Sequence, residues 1–173
     1  LYVVMEDTIQ TDIYSYNIEK KVSLKTASTP ESEYSPNYLK DESGISMVRV
    51  DNDKAQRLYK YETTPQNAEV IIEGVDSVGY YKWINDTTVA LVVLNNGLEL
   101  NIYEIYTQQF IVAAKNVGRC LLTDPESGNL IYTVSSGEET SLMLLNLETF
   151  ESDFYCKGFK QSKDYILTSS GEL

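Results

Sequence analysis

Histidine is absent from this chain of 173 residues, which carries 26 acidic and 14 basic side chains. The Ser-His-Asp and Cys-His systems of nucleophilic catalysis need an imidazole base, and many zinc sites need histidine ligands, so neither can be built here. The sequence also lacks a Gly-x-Ser-x-Gly elbow, a P-loop and a dinucleotide fingerprint. We therefore predict no catalytic residue, no metal site and no cofactor. The many carboxylates leave a glycosidase or lyase pair open as an alternative.

The acidic segment Asp51-Asn52-Asp53 has the appearance of the start of a calcium-binding loop. An EF-hand loop needs Asp-x-Asp-x-Asp-Gly with a glutamate at position twelve, and Ala55 and Gln56 break that pattern. Aspartate and asparagine are also common in tight turns, because their side chains hydrogen-bond to the nearby backbone. We interpret the segment as the tip of a β-hairpin.

Three residues are candidates for a binding site: Tyr81, Trp83 and Arg119. In a strand, alternation places Tyr81 and Trp83 on one face and Tyr80 on the other. The two rings could stack on a sugar or peptide ring, or could simply pack in the interior. Arg119 could hold an anionic group through two parallel hydrogen bonds. Its alternative is a structural ion pair with one of the many acids.

The net charge of −12 argues against nucleic acid as a partner, because binding to phosphates needs a basic surface. A solvated acidic surface that maintains solubility is one interpretation, and a field that attracts cations or a basic partner is the other. The longest apolar run, Val89–Leu94, is far too short for a membrane-spanning helix, so we predict no direct membrane insertion. The N-terminal residues lack the features of a signal peptide. We expect the chain to be a segment of a longer or processed protein.

Short runs of Val, Ile, Leu and Tyr predict an almost entirely β structure. Turn-forming residues separate these runs, including those at 63–66. Asn95-Asn96-Gly97 predicts a tight hairpin turn between the second and third strands of its unit, because Asn-Gly accepts positive φ angles, and Ser136-Gly137 has the matching position in the next unit. The stretch Glu31–Gly74 contains four such runs and serves as the reference unit. Equivalent tyrosines or a methionine in the predicted third strands recur at intervals of about 40–45 residues, the period of β-propeller blades; they are Tyr14, Tyr59, Tyr103 and Met143. The predicted fold is therefore an all-β propeller of four-stranded antiparallel blades. About four blades are present, in parts 1–28, 31–74, 77–115, 117–157 and 162–173.

The two ends of the chain bear on how the blades close. The first part supplies only the second to fourth strands of a blade, and Asp164–Thr168 is predicted to be one more first strand. The ends could complete one blade of a closed four-blade ring, or the chain could be an open arc of a larger ring. We favour the open arc. Cys120 and Cys156, predicted on the first and fourth strands of one blade, would lie roughly 14 Å apart, so we predict free thiols rather than a disulfide.

The stretch Glu31–Tyr61 resembles the blade repeat of TolB-like, WD40-like (PD40-type) bacterial propellers. Six residues match that repeat in order, namely Thr26, Glu33, Ser35, Pro36, Tyr38 and Asp41, and Asp12-Ile13-Tyr14 is similar to its Asp-Ile-Tyr strand. The second proline and the glycine of the repeat are missing, since Lys40-Asp41-Glu42-Ser43-Gly44 stands there. Residues 26–125 also resemble a group of uncharacterised exported propellers, through the segments EYSPNYL, ISMVRVDNDKAQRLYKY, VGYYKWINDTTVALVVL and VGRCLL. Members of that group tend to have histidine at the positions of Tyr81 and Leu122, so a histidine role in their channel is not transferable.

The resemblance implies an exported protein, periplasmic or anchored in the envelope, and implies no reaction, because propellers carry many functions. Our first hypothesis is a non-catalytic scaffold that binds a protein, peptide or glycan through its loop face or central channel. Tyr81, Trp83 and Arg119 would then lie on innermost strands, near the channel mouth. The alternative is the propeller domain of a larger enzyme, such as a prolyl-oligopeptidase-like peptidase or a carboxylate-based glycan enzyme.

Overall fold

Every secondary-structure element of the computed structural model is a β-strand, within the residues that the structure describes: 2–6, 10–26, 29–39, 43–62 and 68–168. None of these residues forms a helix long and apolar enough to cross a membrane. The strands divide between two compact units, Leu1–Val78 and Gly79–Leu173. The predicted all-β class is thereby confirmed.

The first unit contains a three-stranded and a four-stranded antiparallel sheet, each with its strands in chain order. The three-stranded sheet has the second to fourth strands that the sequence predicts for the first blade. Its strands are β1 (Tyr2–Glu6), β2 (Thr11–Asn17) and β3 (Val22–Lys25). The four-stranded sheet consists of β4 (Ser32–Tyr38), β5 (Ile45–Val50), β6 (Gln56–Tyr61) and β7 (Ala68–Val70).

The second unit contains two four-stranded antiparallel sheets, again with strands in chain order. The first of them consists of β8 (Val78–Trp83), β9 (Thr88–Leu94), β10 (Leu98–Glu104) and β11 (Gln109–Lys115). The second consists of β12 (Val117–Thr123), β13 (Leu130–Ser136), β14 (Glu139–Leu145) and β15 (Ser152–Lys157). The predicted parts 77–115 and 117–157 thus correspond to one four-stranded sheet each.

Each unit has its own apolar core, built mainly from the middle strands of its sheets. In the first unit the buried cluster consists of Ile13, Ile45, Met47, Tyr59 and Tyr61. In the second unit it extends from one sheet to the other and includes Ala90, Val92, Leu100, Ile102, Val117, Leu130, Tyr132 and Leu145. A single twisted sheet cannot bury both of its faces, so face-to-face packing of neighbouring sheets is what removes these side chains from water.

The first strands of two sheets carry irregularities at corresponding places. The pairing of β4 with β5 shifts register between Tyr34 and Asn37, and that of β12 with β13 shifts between Val117 and Leu121. In β4 the interruption contains Ser35, whose φ is 53°, and Pro36, which has no N–H to donate to a ladder. The Ser-Pro pair of the repeat therefore occupies a β-bulge, which bends the strand and redirects its side chains.

The Asn95-Asn96-Gly97 turn joins β9 to β10, as predicted, with positive φ angles of 52° at Asn96 and 131° at Gly97. The predicted final strand is wrong: Asp164–Thr168 has no strand pairing. The segment instead contacts β12 through the side chain of Cys120, whose Sγ accepts a hydrogen bond from the Tyr165 N–H at 3.3 Å. The turn expected at 63–66 and the matching residue Asp41 lie outside the described residues.

Candidate functional site

Two of the predicted site residues, Tyr81 and Trp83, lie on β8, the first strand of its sheet. The Tyr81 side chain is only 7% exposed, and that of Trp83 is partly buried. Strand alternation turns Tyr80 to the opposite face. The geometry of Tyr81 is that of a packed ring, and a role in ligand stacking for either residue stays a prediction.

The third predicted residue, Arg119, lies in the β12 bulge and forms an ion pair with Asp164. Its Nε donates to one Asp164 carboxylate oxygen at 2.8 Å, and its Nη2 donates to the other. This pairing raises the pKa of the Arg119 guanidinium, although partial burial opposes the shift. The Tyr80 hydroxyl also interacts with the guanidinium. The Asp164 carboxylate thus orients the Arg119 guanidinium.

Arg119 borders a cavity of about 310 Å³ within the second unit. The cavity lies at the end of the sheets where the hairpins between second and third strands meet the residues that follow the fourth strands. Leu98, Ser135 and Thr140 come from those hairpins, and Ser162 and Lys163 from the segment after β15. Among the described residues, the wall includes Arg119 and Tyr80 but neither Tyr81 nor Trp83. Arg119 therefore shares the cavity wall with Tyr80, and not with the predicted Tyr81.

Gly118 allows the cavity wall to close tightly around the bulge. A Cβ at this position would lie 2.2 Å from the Thr133 Oγ1, which is far inside van der Waals contact. The same Thr133 hydroxyl accepts a hydrogen bond from the Cys120 N–H at 3.4 Å, where the regular β12–β13 ladder is interrupted. The threonine thus replaces a missing ladder bond, and the glycine gives it room to do so.

Sequence reasoning missed Tyr80, Lys163 and the hydroxyl residues of this wall. Each is an ordinary residue in a strand or loop, and no motif marks it. One signal was available, since Ser135 and Thr140 flank a predicted hairpin turn at the same end of the sheet as the start of β12. Their convergence depends on how two sheets pack, which local patterns do not encode.

The acidic hairpin at Asp51–Asp53 is a turn, as predicted, and it is held by Arg57. The guanidinium of Arg57 contacts Asp51 at 2.6 Å, Asp53 at 2.9 Å and Asp76 at 2.6 Å. Partial burial opposes ionisation of Asp51, but hydrogen bonds, first of all from Arg57, lower its pKa. Three acids around one guanidinium form a structural ion-pair network. The described residues contain no group of three or more acidic or cysteine side chains arranged to hold a metal ion.

Glu33 is a fully buried carboxyl group in the first unit, with 0% of its surface exposed. The Thr29 hydroxyl donates to its Oε1, while its Oε2 is buried and has no partner among the described residues. Asp12, 3% exposed, lies nearby and pairs with Lys25 at 2.7 Å. Burial raises the pKa of Glu33 to about 7. The negative charge of Asp12 adds to this effect, and the hydrogen bond from Thr29 opposes it. This carboxyl therefore changes its protonation state near neutral pH.

Cys120 and Cys156 are free thiols, as predicted. They lie on the first and fourth strands of their sheet, which keeps them apart. Burial raises the pKa of both thiols, so neither is activated as a nucleophile.

No protein-family model matches the sequence, and no curated protein is significantly similar to it. Solved structures do resemble it. TolB from Acinetobacter baumannii is 11% identical, with a TM-score of 0.75 over 92% of this chain and 40% of TolB. Puromycin hydrolase is 10% identical, with a TM-score of 0.65 over 90% of this chain and 27% of the hydrolase.

The chain thus spans well under half the length of both proteins. At these identities the similarity shows the fold alone. That fold is a β-propeller, built from four-stranded antiparallel blades.

Proposed function

We propose that this chain is a non-catalytic binding module of the bacterial cell envelope. It recognises a protein, peptide or glycan at the end of its blades where the hairpins between second and third strands lie, which we call the loop end. The observation that carries the proposal is the cavity of about 310 Å³ at that end of the second unit. This volume is at the lower end of the range for ligand sites, so the cavity would take a terminal group or a single ring rather than a whole polymer.

The composition of the wall favours binding over catalysis. It combines hydroxyl groups with two cationic side chains, Arg119 and Lys163. Among the described lining residues there is no carboxylate to act as a general acid or base. A nucleophilic serine in the wall would need a base with a pKa near neutrality. The buried acid with such a pKa, Glu33, belongs to the other unit.

The proposal is tested by measuring binding and turnover on the same purified chain. Labelled protein is applied to peptide and glycan arrays, and binding to the best probe is then quantified by calorimetry. Ser135→Trp fills the cavity and is expected to abolish binding. Glu148→Trp, in an exposed turn between β14 and β15, is the matched control and should bind normally.

Two results would contradict the proposal. One is the absence of saturable binding on both arrays. The other is conversion of a peptide or glycan probe to product by the wild-type chain, lost on substitution of cavity residues.

A second candidate is the propeller domain of a larger enzyme. The observation in its favour is the similarity to puromycin hydrolase, of which the chain covers 27%. A Gly-x-Ser-x-Gly segment in a longer reading frame, and peptidase activity in the corresponding longer protein, would support this candidate.

A further inference from the structure

The loop-end cavity differs in charge from the rest of the molecule. The chain has a net charge of −12 and 26 acidic residues, yet the described residues that line the cavity include Arg119 and Lys163 and no aspartate or glutamate. In a protein this acidic, a basic concave surface is the place where an anion experiences the least repulsion. This contrast in charge makes the cavity more favourable to an anionic ligand than the rest of the surface.

The two bases are available to a ligand in different ways. Arg119 directs its Nε and Nη2 to Asp164, so the Asp164 carboxylate fixes the guanidinium and also neutralises part of its charge. Lys163 is exposed beside it and forms no ion pair with any residue of the described ranges. An anion would therefore meet the Lys163 ammonium first and share the guanidinium with Asp164.

The remaining wall combines hydroxyl donors with an apolar surface. Tyr80, Ser135 and Ser162 contribute hydroxyl groups, which donate readily to an oxyanion. Leu98 and Val117 contribute apolar surface on the same cavity. A charged group with an apolar side chain attached to it matches both parts of this wall.

A sugar matches the wall less well. Sugar hydroxyls donate hydrogen bonds, and carboxylates are strong acceptors for them, but the Asp164 carboxylate beside this cavity already accepts from Arg119, and the described lining adds no other. A peptide C-terminus carries one carboxylate and one side chain next to it, and capture of that carboxylate is a recurring mode of peptide recognition.

We infer that this cavity binds the C-terminal carboxylate of a peptide that ends in an apolar residue, with Lys163 and Arg119 on the carboxylate and with Leu98 and Val117 against the last side chain. The inference rests on the proposed function and gives that site a ligand class. Ionic contacts at an exposed mouth are screened by salt, so the affinity falls as the ionic strength rises.

The test uses the full chain, labelled with ¹⁵N, and three probes: acetyl-Ala-Ala-Leu with a free carboxylate, its carboxamide, and inorganic phosphate. Binding is followed through the Gly118 and Ser135 amides and the Arg119 Nε–H by NMR. We expect the free acid to bind about tenfold more tightly than the amide, because one charge-assisted contact is lost. Lys163→Gln with Arg119→Gln should weaken the free acid by a similar factor. Asp164→Asn should strengthen it, because it removes a competing carboxylate.

Lys157→Gln with Lys20→Gln is the matched control: it also removes two positive charges, at exposed positions that do not line the cavity, and it should leave binding unchanged. Equal binding of acid and amide overturns the inference, as does phosphate binding more tightly than the peptide. The same holds if neither peptide binds. If array ligands of another class still bind in a manner sensitive to Ser135→Trp, the inference fails and the proposed function stands. If nothing binds in either experiment, both fail.

Discussion

Residue type alone does not decide what a charged side chain does in this chain, and the arginines illustrate this. Arg57 forms ion pairs with three carboxylates, and its role is to stabilise the hairpin at Asp51–Asp53. Arg119 contacts the single carboxylate of Asp164 and borders a cavity. The sequence offered an ion pair and an anion site as alternatives for Arg119. The structure shows the ion pair beside a cavity in which the anion role can be tested.

Glu33 supplies a prediction about pH. Its folded pKa, about 7, lies above the ordinary value of 4.5, so the folded chain binds more protons than the unfolded chain between these values. The free energy of unfolding should therefore fall as the pH rises from 4.5 to about 7, by at most about 3 kcal/mol. Glu33→Gln has no group to ionise, and its stability should lose this dependence. Urea unfolding at pH 5, 6, 7 and 8 measures the effect.

Glu69→Gln, an exposed position on β7 in the same unit, is the control for the change in charge. It should keep the wild-type dependence on pH. Parallel stability curves for Glu33→Gln and the wild-type chain would show that the buried carboxyl is not the origin of the effect.

At the scale of elements, the strands follow from local patterns, whereas their irregularities follow from contacts. The Asn-Gly turn after β9 was predicted because few residues accept positive φ angles. The β12 bulge has only a weak mark in the sequence, the glycine of Gly118-Arg119-Cys120, because a glycine inside a strand accompanies bulges and other close approaches alike. Asp164–Thr168 has the composition of a strand but contacts β12 through side chains. The composition of a segment favours an extended backbone. Whether that backbone forms a hydrogen-bonded strand pair depends on whether a sheet offers it a free edge.

Gly44 supplies a prediction at this scale, where the chain enters β5. A Cβ at this position would lie 1.9 Å from the backbone oxygen of Tyr61, and a paired strand cannot shift easily. Gly44→Ala should therefore destabilise the chain by about 1–3 kcal/mol, the cost of overpacking. The midpoint and slope of urea unfolding measure it.

Gly79→Ala on β8 is the matched control, because the nearest atom to its Cβ would be the Val92 oxygen at 3.5 Å, an ordinary contact. It should be neutral or slightly stabilising, since alanine has less freedom in the unfolded chain. Equal stability of the two variants would contradict the close approach at Gly44.

For the whole molecule, the two units differ in what they contain. The second unit has an apolar core made entirely of its own residues, and the loop-end cavity is also its own. We predict that residues 77–173, which retain all of β8, fold without the first unit. Circular dichroism should show β structure, and urea should unfold the fragment in one cooperative transition.

Residues 77–136 are the control fragment. They lack β14 and β15 and with them the buried Leu142 and Leu145, so they should not fold cooperatively. A gradual loss of signal from the longer fragment would mean that its core depends on the first unit. The open arc and the closed four-blade ring both stay predictions for the full protein.

The sequence by itself determined the β class, the four strands of each complete blade and the tight turns, because these depend on side-chain alternation and on backbone angles within a few residues. It also placed Tyr81, Trp83 and Arg119 on first strands. Only the tertiary structure decided that Tyr81 is buried, that Arg119 pairs with Asp164, and that Tyr80, Ser135 and Lys163 share a cavity with it. The same is true of the raised pKa of Glu33. Burial and electrostatic environment are set by residues far apart in the chain, so no local pattern records them.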